Sequence, residues 1–294
     1  MVASSSLAHR ANSPPPMILF RLFRRLILLL CVAGLLRAES AAPSQRLLFI
    51  HDNAKVAEPL IAFLKARGNF DTLVVDQAHL PPTSEWNGFR AVLGYVHGNL
   101  REPTEVAIID YTKNGGRFVA LHHMVSSGKA QNKYYFDFMG LRLDEPKASP
   151  NPVEPGAGYG WYTGGKGEPG IQQTLVNLNP SHFITSHDVT WSEKAQYQSS
   201  DTLDVAREYP AIVLPKAEAY VNVKFTDGRE KTVLFGFSYT DPRTNKHFEQ
   251  DRSGWTKPYG AGRIVYLQPG HFADEFANPN IAQMVLNAIV WDGR

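Results

Sequence analysis

Five of the chain's ten histidines follow apolar, strand-like runs. His51 follows "RLLFI", His97 follows "RAVLGYV", and His122 and His123 follow "RFVAL". His271 follows "GRIVYLQPG". A neutral imidazole can bind a metal, act as a base or donate to a hydroxyl. A strand fixes where such a ring starts, and the loop after it leaves the ring accessible. The chemistry these positions suggest is proton transfer or metal binding. His122 and His271 are the central pair, with His97 beside them as a third catalytic candidate. His51, His123, Asn53 and Asn99 are candidates for binding substrate hydroxyls, and Trp255 for stacking on a sugar ring. His122 and His123 are adjacent, so a continuing strand would point them to opposite faces, with one looking into the site.

The elements that must position these residues follow from periodicity. "RLLFI" (46–50), "DTLVV" (71–75), "RAVLGYV" (90–96) and "RFVAL" (117–121) read as buried strands. "AEPLIAFLKARG" (57–68) and "PTEVAIIDYTKNGG" (103–116) read as helices between them, the second with Pro103 at its start. Strands alternating with helices predict a mostly parallel sheet covered on both faces. "GRIVYLQPGH" is the last core strand and "NPNIAQMVLNAIVWDGR" the closing helix. "AEAYVNVKF" and "KTVLFGFSY" flank Asp227-Gly228 and predict an antiparallel hairpin. Residues 145–170 are rich in Pro and Gly and read as a loop or insertion. The expected architecture is one flavodoxin-like, doubly wound α/β domain with an added antiparallel hairpin. In such a sheet all the parallel strand ends share one rim, where ligands bind. The fold would therefore gather histidines that the sequence scatters.

The first 42 residues stand apart as a leader, and residues 43–294 as the domain. Arg21, Arg24 and Arg25 precede an apolar run, Leu26–Leu36, and small residues follow. That is the layout of a secretory signal peptide, with cuts expected after Ala38 or Ala42. Met17 is an alternative start. Export to the periplasm or medium is expected, with membrane contact only through an uncleaved leader. Residues 1–38 carry five of the 30 basic residues and no acidic one, so cleavage leaves 25 basic against 28 acidic, a net charge of −3. That charge gives no nucleic-acid footprint. The only cysteine, Cys31, lies in the leader after Leu30, where a lipobox wants a small residue. The mature chain then lacks disulfides, thiolate metal ligands and a cysteine nucleophile.

Other motifs are weaker. His182 and Glu193 would join a metal site only by folding over the rim, since the spacing from His182 to His187 is not a helical metal pair. "GWYTGGK" (160–166) imitates a phosphate loop, but Gly167 stands where Ser or Thr is needed. No nucleotide is expected.

An ordered series of segments resembles the ThuA-like family, named for trehalose utilisation. "LGYVHGN", "IIDYTKNGGRFVALHH", "SHFIT" and "WTKPYGAGRIVYLQPGH" are similar to its signature segments, and "NAIVW" to its terminal helix. Phe183 stands where that family has Pro. The resemblance runs from Arg46 to the C-terminus and implies a class I glutamine amidotransferase-like fold. In true amidotransferases the turn after the fourth strand carries a nucleophilic cysteine, and here that place falls near His122. Glutaminase chemistry is therefore not expected. The resemblance implies a role in carbohydrate catabolism and a small carbohydrate ligand. The leading expectation is a hydrolase or isomerase acting on a sugar or keto-sugar. A divalent metal such as zinc would be held by His122 and His271, with His182 and Glu193 as further ligand candidates. The competing expectations are a non-catalytic carbohydrate-binding protein and a structural module.

Overall fold

The computed structural model describes residues 45–143, 160–162, 170–199, 205–221, 223–227, 231–240, 245 and 247–293. The leader, nearly all of the Pro/Gly-rich stretch 145–170, and Gly228 lie outside the described residues. Ser44–Arg294 forms one compact unit. In chain order its elements are β1 (Gln45–His51), α1 (Ala54–Gly68), β2 (Phe70–Asp76), β3 (Ala91–Tyr95), α2 (Glu102–Lys113), β4 (Arg117–Leu121) and α3 (Tyr135–Met139). Next come β5 (Leu141–Leu143), β6 (Gly160–Tyr162), β7 (Ile171–Asn177), α4 (Phe183–Ser186), β8 (Glu193–Tyr197) and β9 (Arg207–Ala217). The chain closes with β10 (Ala219–Val221), β11 (Val223–Phe225), β12 (Thr232–Thr240), β13 (His247–Tyr259), β14 (Gly262–Leu267), α5 (Ala273–Ala277) and α6 (Pro279–Val290).

A ten-stranded sheet runs in the order β2-β1-β3-β4-β14-β13-β12-β7-β9-β8. From β2 to β14 every pairing is parallel. From β14 to β8 every pairing is antiparallel. The α/β frame with a parallel core and antiparallel strands is the expected one. The antiparallel part is larger than a single hairpin, however. β11, before Asp227, pairs with β5, while β12, after it, pairs with β13 and β7. The Asp227 carboxylate takes the ammonium groups of Lys231 and Lys257, which ties the turn to the core instead of closing a tight hairpin.

Burial explains the strand sequences. Along β1, Leu47 and Phe49 enter one core cluster, and Leu48 and Ile50 enter the other. β4 divides likewise, Val119 and Leu121 against Phe118 and Ala120. Both sheet faces are thus covered, so the strands read as continuous apolar runs. Each large side chain buried this way contributes on the order of 2 kcal/mol. A typical hydrogen bond contributes only about 1 kcal/mol net. Burial therefore fixes the frame, and polar residues at strand ends are free to serve chemistry. Among the described residues, no helix is long and apolar enough to cross a membrane.

Candidate functional site

β4 stops at Leu121, and the chain turns sharply. His122 has φ +38°, in the left-handed region, and opens a short 3-10 turn, His122–Val125. A non-glycine residue there costs about 1–2 kcal/mol. Two contacts hold it. Its Nδ1 lies 2.6 Å from the Gln268 carbonyl, and its own carbonyl accepts from the Tyr266 hydroxyl at 3.2 Å. Because the strand does not continue, His122 and His123 do not point to opposite faces. Their ring centroids are 4.4 Å apart, and both enter one cluster.

The cluster comprises His122, His123, Glu218 and His271. One donor atom from each lies within 4.8 Å of all the others. His122 Nε2 is 2.8 Å from Glu218 Oε2 and 3.2 Å from His271 Nδ1, and His271 Nδ1 is 3.0 Å from the same carboxylate oxygen. His123 Nδ1 is 2.9 Å from the Tyr220 hydroxyl. His122, His123 and Glu218 are buried, and His271 is the half-exposed member through which solvent reaches the group.

The geometry carries an electrostatic consequence. A carbonyl oxygen only accepts, so the Nδ1 of His122 carries a proton and donates it to Gln268. In the neutral ring, Nε2 is then a bare lone pair facing a carboxylate oxygen. That contact needs a proton or a metal ion between the two atoms. Burial pushes the Glu218 carboxyl up, but hydrogen bonds from His122 and His271 and their charges hold it well below the usual carboxylate range. Burial lowers the His271 pKa, yet Glu218, by hydrogen bond and charge, leaves it above the ordinary histidine value. His123 is pushed far down by burial first and then by the neighbouring His122, so its ring is neutral.

The donor set fits a divalent first-row metal. Three imidazoles and one carboxylate are ligand types that zinc accepts. The His122 Nδ1 and the His123 Nδ1 each have a partner of their own, the outer support that orients metal-binding imidazoles. Ligands about 2.0–2.1 Å from a tetrahedral zinc stand roughly 3.3 Å apart, close to the 2.8–3.2 Å separations among His122, Glu218 and His271.

Surrounding residues hold the cluster in place. The Tyr95 hydroxyl donates to the Gly270 carbonyl at 2.9 Å and ties the loop before His271 to β3. Gly270 has φ +136°, and a Cβ there would strike the Phe276 ring, so only glycine serves. Lys129 is buried and donates to the carbonyls of Val96, Gly98 (2.6 Å) and His123 (3.0 Å). It clamps the loop after β3 onto the turn after β4. Glu275 is also buried. Its Oε2 accepts from the Phe272 amide at 3.0 Å, and its Oε1 has no partner. Burial pushes its carboxyl up despite the pull of His122.

The other sequence candidates divide. His97 is exposed, and its ring stands edge-on to His123 at 4.8 Å, with its amide donating to Asp52 at 2.6 Å. His51 ends β1 and stacks near Phe49 at 6.1 Å, outside the cluster. Asn53 and Asn99 are exposed on the loops after β1 and β3, at the same rim. Trp255 corrects an expectation: it is fully buried on β13 against Tyr266 and Phe225, where no sugar can stack on it. His182 and Glu193 do not fold over the rim. His182 caps α4, accepting from the Ile184 amide, and packs on Trp291 at 4.4 Å. Glu193 is exposed on the edge strand β8. The carboxylate that does reach the cluster is Glu218, between β9 and β10. Its signal was a lone acid among apolar residues in "AEAYV".

The fold and this rim define a class I glutamine amidotransferase-like α/β protein with histidine at the turn after β4. Residues 44–292 match the model of the ThuA family, described as trehalose utilisation, and the chain belongs to that family. The structure of a putative ThuA-like protein from Bacteroides uniformis is similar, with TM-score 0.55 and 15% identity over 85% of this chain and 93% of that one. A cold-adapted β-galactosidase from Rahnella sp. R3 matches with TM-score 0.44 and 13% identity over 90% of this chain but 35% of its own. A β-galactosidase from Bacillus circulans sp. alkalophilus matches with TM-score 0.47 and 12% identity over 83% of this chain and 31% of its own. This chain spans about a third of those longer chains. A search of curated proteins finds no match. Family membership ties the chain to carbohydrate utilisation.

Proposed function

We propose that this protein is an exported enzyme of carbohydrate catabolism that acts on a sugar or keto-sugar at a divalent metal centre. The carrying observation is the convergence of His122 Nε2, His271 Nδ1 and Glu218 Oε2 within 2.8–3.2 Å, an arrangement that can hold a cation. His122, Glu218 and His271 would hold the ion, with His123 beside it and one position left open for water or substrate. A bound metal of this kind polarises a carbonyl or lowers the pKa of a bound water to about 7. The chain's own residues supply the rest. His97, exposed at the mouth beside His123, moves protons between the site and the substrate. His97 and Asp52 meet the substrate at the mouth, and Asn53 and Asn99 bond its hydroxyls. The leader of residues 1–42 carries the export reading.

The test is metal content of the purified mature protein beside a His122→Ala/His271→Ala double variant. Near-stoichiometric metal in the wild type, lost in the variant, is expected. Absence of metal after incubation with zinc and with manganese would overturn the metal centre and leave an acid/base pocket. Turnover of a panel of sugars and keto-sugars then separates an enzyme from a carbohydrate-binding protein.

A further inference from the structure

The opposite end of the sheet carries a row of arginines. Arg46 is the second residue of β1, Arg90 immediately precedes β3, Arg117 opens β4 and Arg263 is the second residue of β14. These strands are adjacent and parallel, so the four side chains leave neighbouring strand starts. Arg117 and Arg263 are direct register partners. The Arg90 amide donates to the Arg46 carbonyl at 2.8 Å. Together they line a groove of about 830 Å³, which has one acidic residue in its wall, Asp292.

Like charges set side by side on neighbouring strands are destabilising. The fold offsets part of that cost. Arg90 Nη2 donates to the Val290 carbonyl at 3.0 Å, and Arg117 Nη1 donates to the Ile289 carbonyl. Both acceptors lie at the C-terminus of α6, where the helix dipole favours cations. This uses one N–H group of each guanidinium. Arg117 Nε is buried without a partner. Arg46 and Arg263 lie over the rings of Phe89 (4.7 Å) and Trp291 (4.4 Å). A stacked guanidinium keeps its in-plane N–H fork free for an oxyanion. Burial, with repulsion from Arg90 and Arg263, lowers the Arg117 pKa to about 10, although Tyr111 and Asp292 pull it back up.

We propose that this groove is a second ligand site, distinct from the histidine cluster, and that it binds a small organic phosphate. Planar guanidinium forks match phosphate oxygens. The volume is that of a small-molecule pocket and exceeds what a bare phosphate ion fills. The phosphate sits on the arginine row, and the organic body occupies the remaining groove, walled by Asn87, Tyr111 and Asn114.

The test is calorimetric titration of the mature protein at low ionic strength with two probes, glucose 6-phosphate and inorganic phosphate. Binding of both is expected, tighter for the ester. Arg46→Gln and Arg263→Gln should each weaken it about tenfold, the scale of one charged hydrogen bond. Among the described residues neither side chain donates to a backbone carbonyl, so both variants should fold, with a melting temperature lowered only by the loss of the ring contact. Lys55→Gln, on α1 at the opposite rim, should leave the affinity unchanged. No heat with either probe at millimolar concentration would overturn the proposal. So would equal weakening by Lys55→Gln, or unchanged affinity in both arginine variants.

Discussion

His122 Nε2 and Glu218 Oε2 lie 2.8 Å apart across 96 residues of sequence. The histidine comes from the end of a parallel strand, the carboxylate from the junction of two strands beyond it. The antiparallel half of the sheet therefore completes the site. It supplies the one negative charge that a cluster of three imidazoles needs.

Glu218→Gln removes that charge while keeping the side-chain shape. In the metal-free protein, the hydrogen bond and charge of Glu218 hold the His271 pKa up against burial. The His271 pKa should therefore fall in the variant, to or below the ordinary histidine value. Resolved imidazole signals in an NMR titration measure it directly. An unchanged His271 titration would mean that Glu218 does not face that ring in solution. The same variant should lower metal affinity by about 10–100-fold or more, the scale seen when even an outer support is lost.

His123 gives a pH dependence of opposite sign. Burial lowers its folded pKa, so below about pH 6.5 the unfolded chain binds a proton that the folded ring refuses. Its contribution to stability is present above that pH and declines as pH falls, by about 1.4 kcal/mol per pH unit for this one group. His123→Phe should remove that part of the acid slope. Denaturant unfolding of the metal-free proteins between pH 6.5 and 5 would show it as a shallower decline than in the wild type. Parallel declines would show that His123 is not the group responsible.

The turn at His122 was only half legible in the sequence. The apolar runs fixed β1, β3, β4 and β14, because strands buried on both faces have no alternation to confuse the reading. Histidines at their ends could therefore be placed on one rim. The backbone reversal at His122 leaves no mark in composition, so the expectation that one ring would point away failed. Glu218 was missed because its partners lie 96 residues upstream and 53 downstream, and pairing at that distance has no local pattern. The antiparallel strands β7, β8, β9 and β13 were hidden by polar residues and by interrupted runs. Aromatic type alone suggested Trp255, and type does not reveal burial.

The strained turn makes its own prediction. His122→Ala and His122→Gly both lose the bonds to Gln268 and Glu218, but only glycine relieves the φ of +38°. Metal-free His122→Gly should be more stable than His122→Ala by about 1 kcal/mol. That reverses the usual order, in which glycine is the worse residue because of its chain entropy. A more stable alanine variant would show that the backbone turn relaxes once the imidazole is gone.

Trp255 separates a packing role from a binding role. Its ring is fully buried, centred 5.6 Å from Tyr266 and 5.8 Å from Phe225, with the Lys231 ammonium 5.2 Å from it. Tyr266 in turn donates to the His122 carbonyl. Trp255→Ala should cost about 3–5 kcal/mol from lost burial and a residual cavity. Trp255→Phe keeps an aromatic ring there and should cost less. Both losses should appear as lower denaturant midpoints. In the folded Trp255→Phe protein, metal content and carbohydrate affinity should stay at wild-type levels, because the ring has no surface to offer a ligand. A selective loss of carbohydrate binding with stability intact would return Trp255 to the binding site and contradict its place in the core.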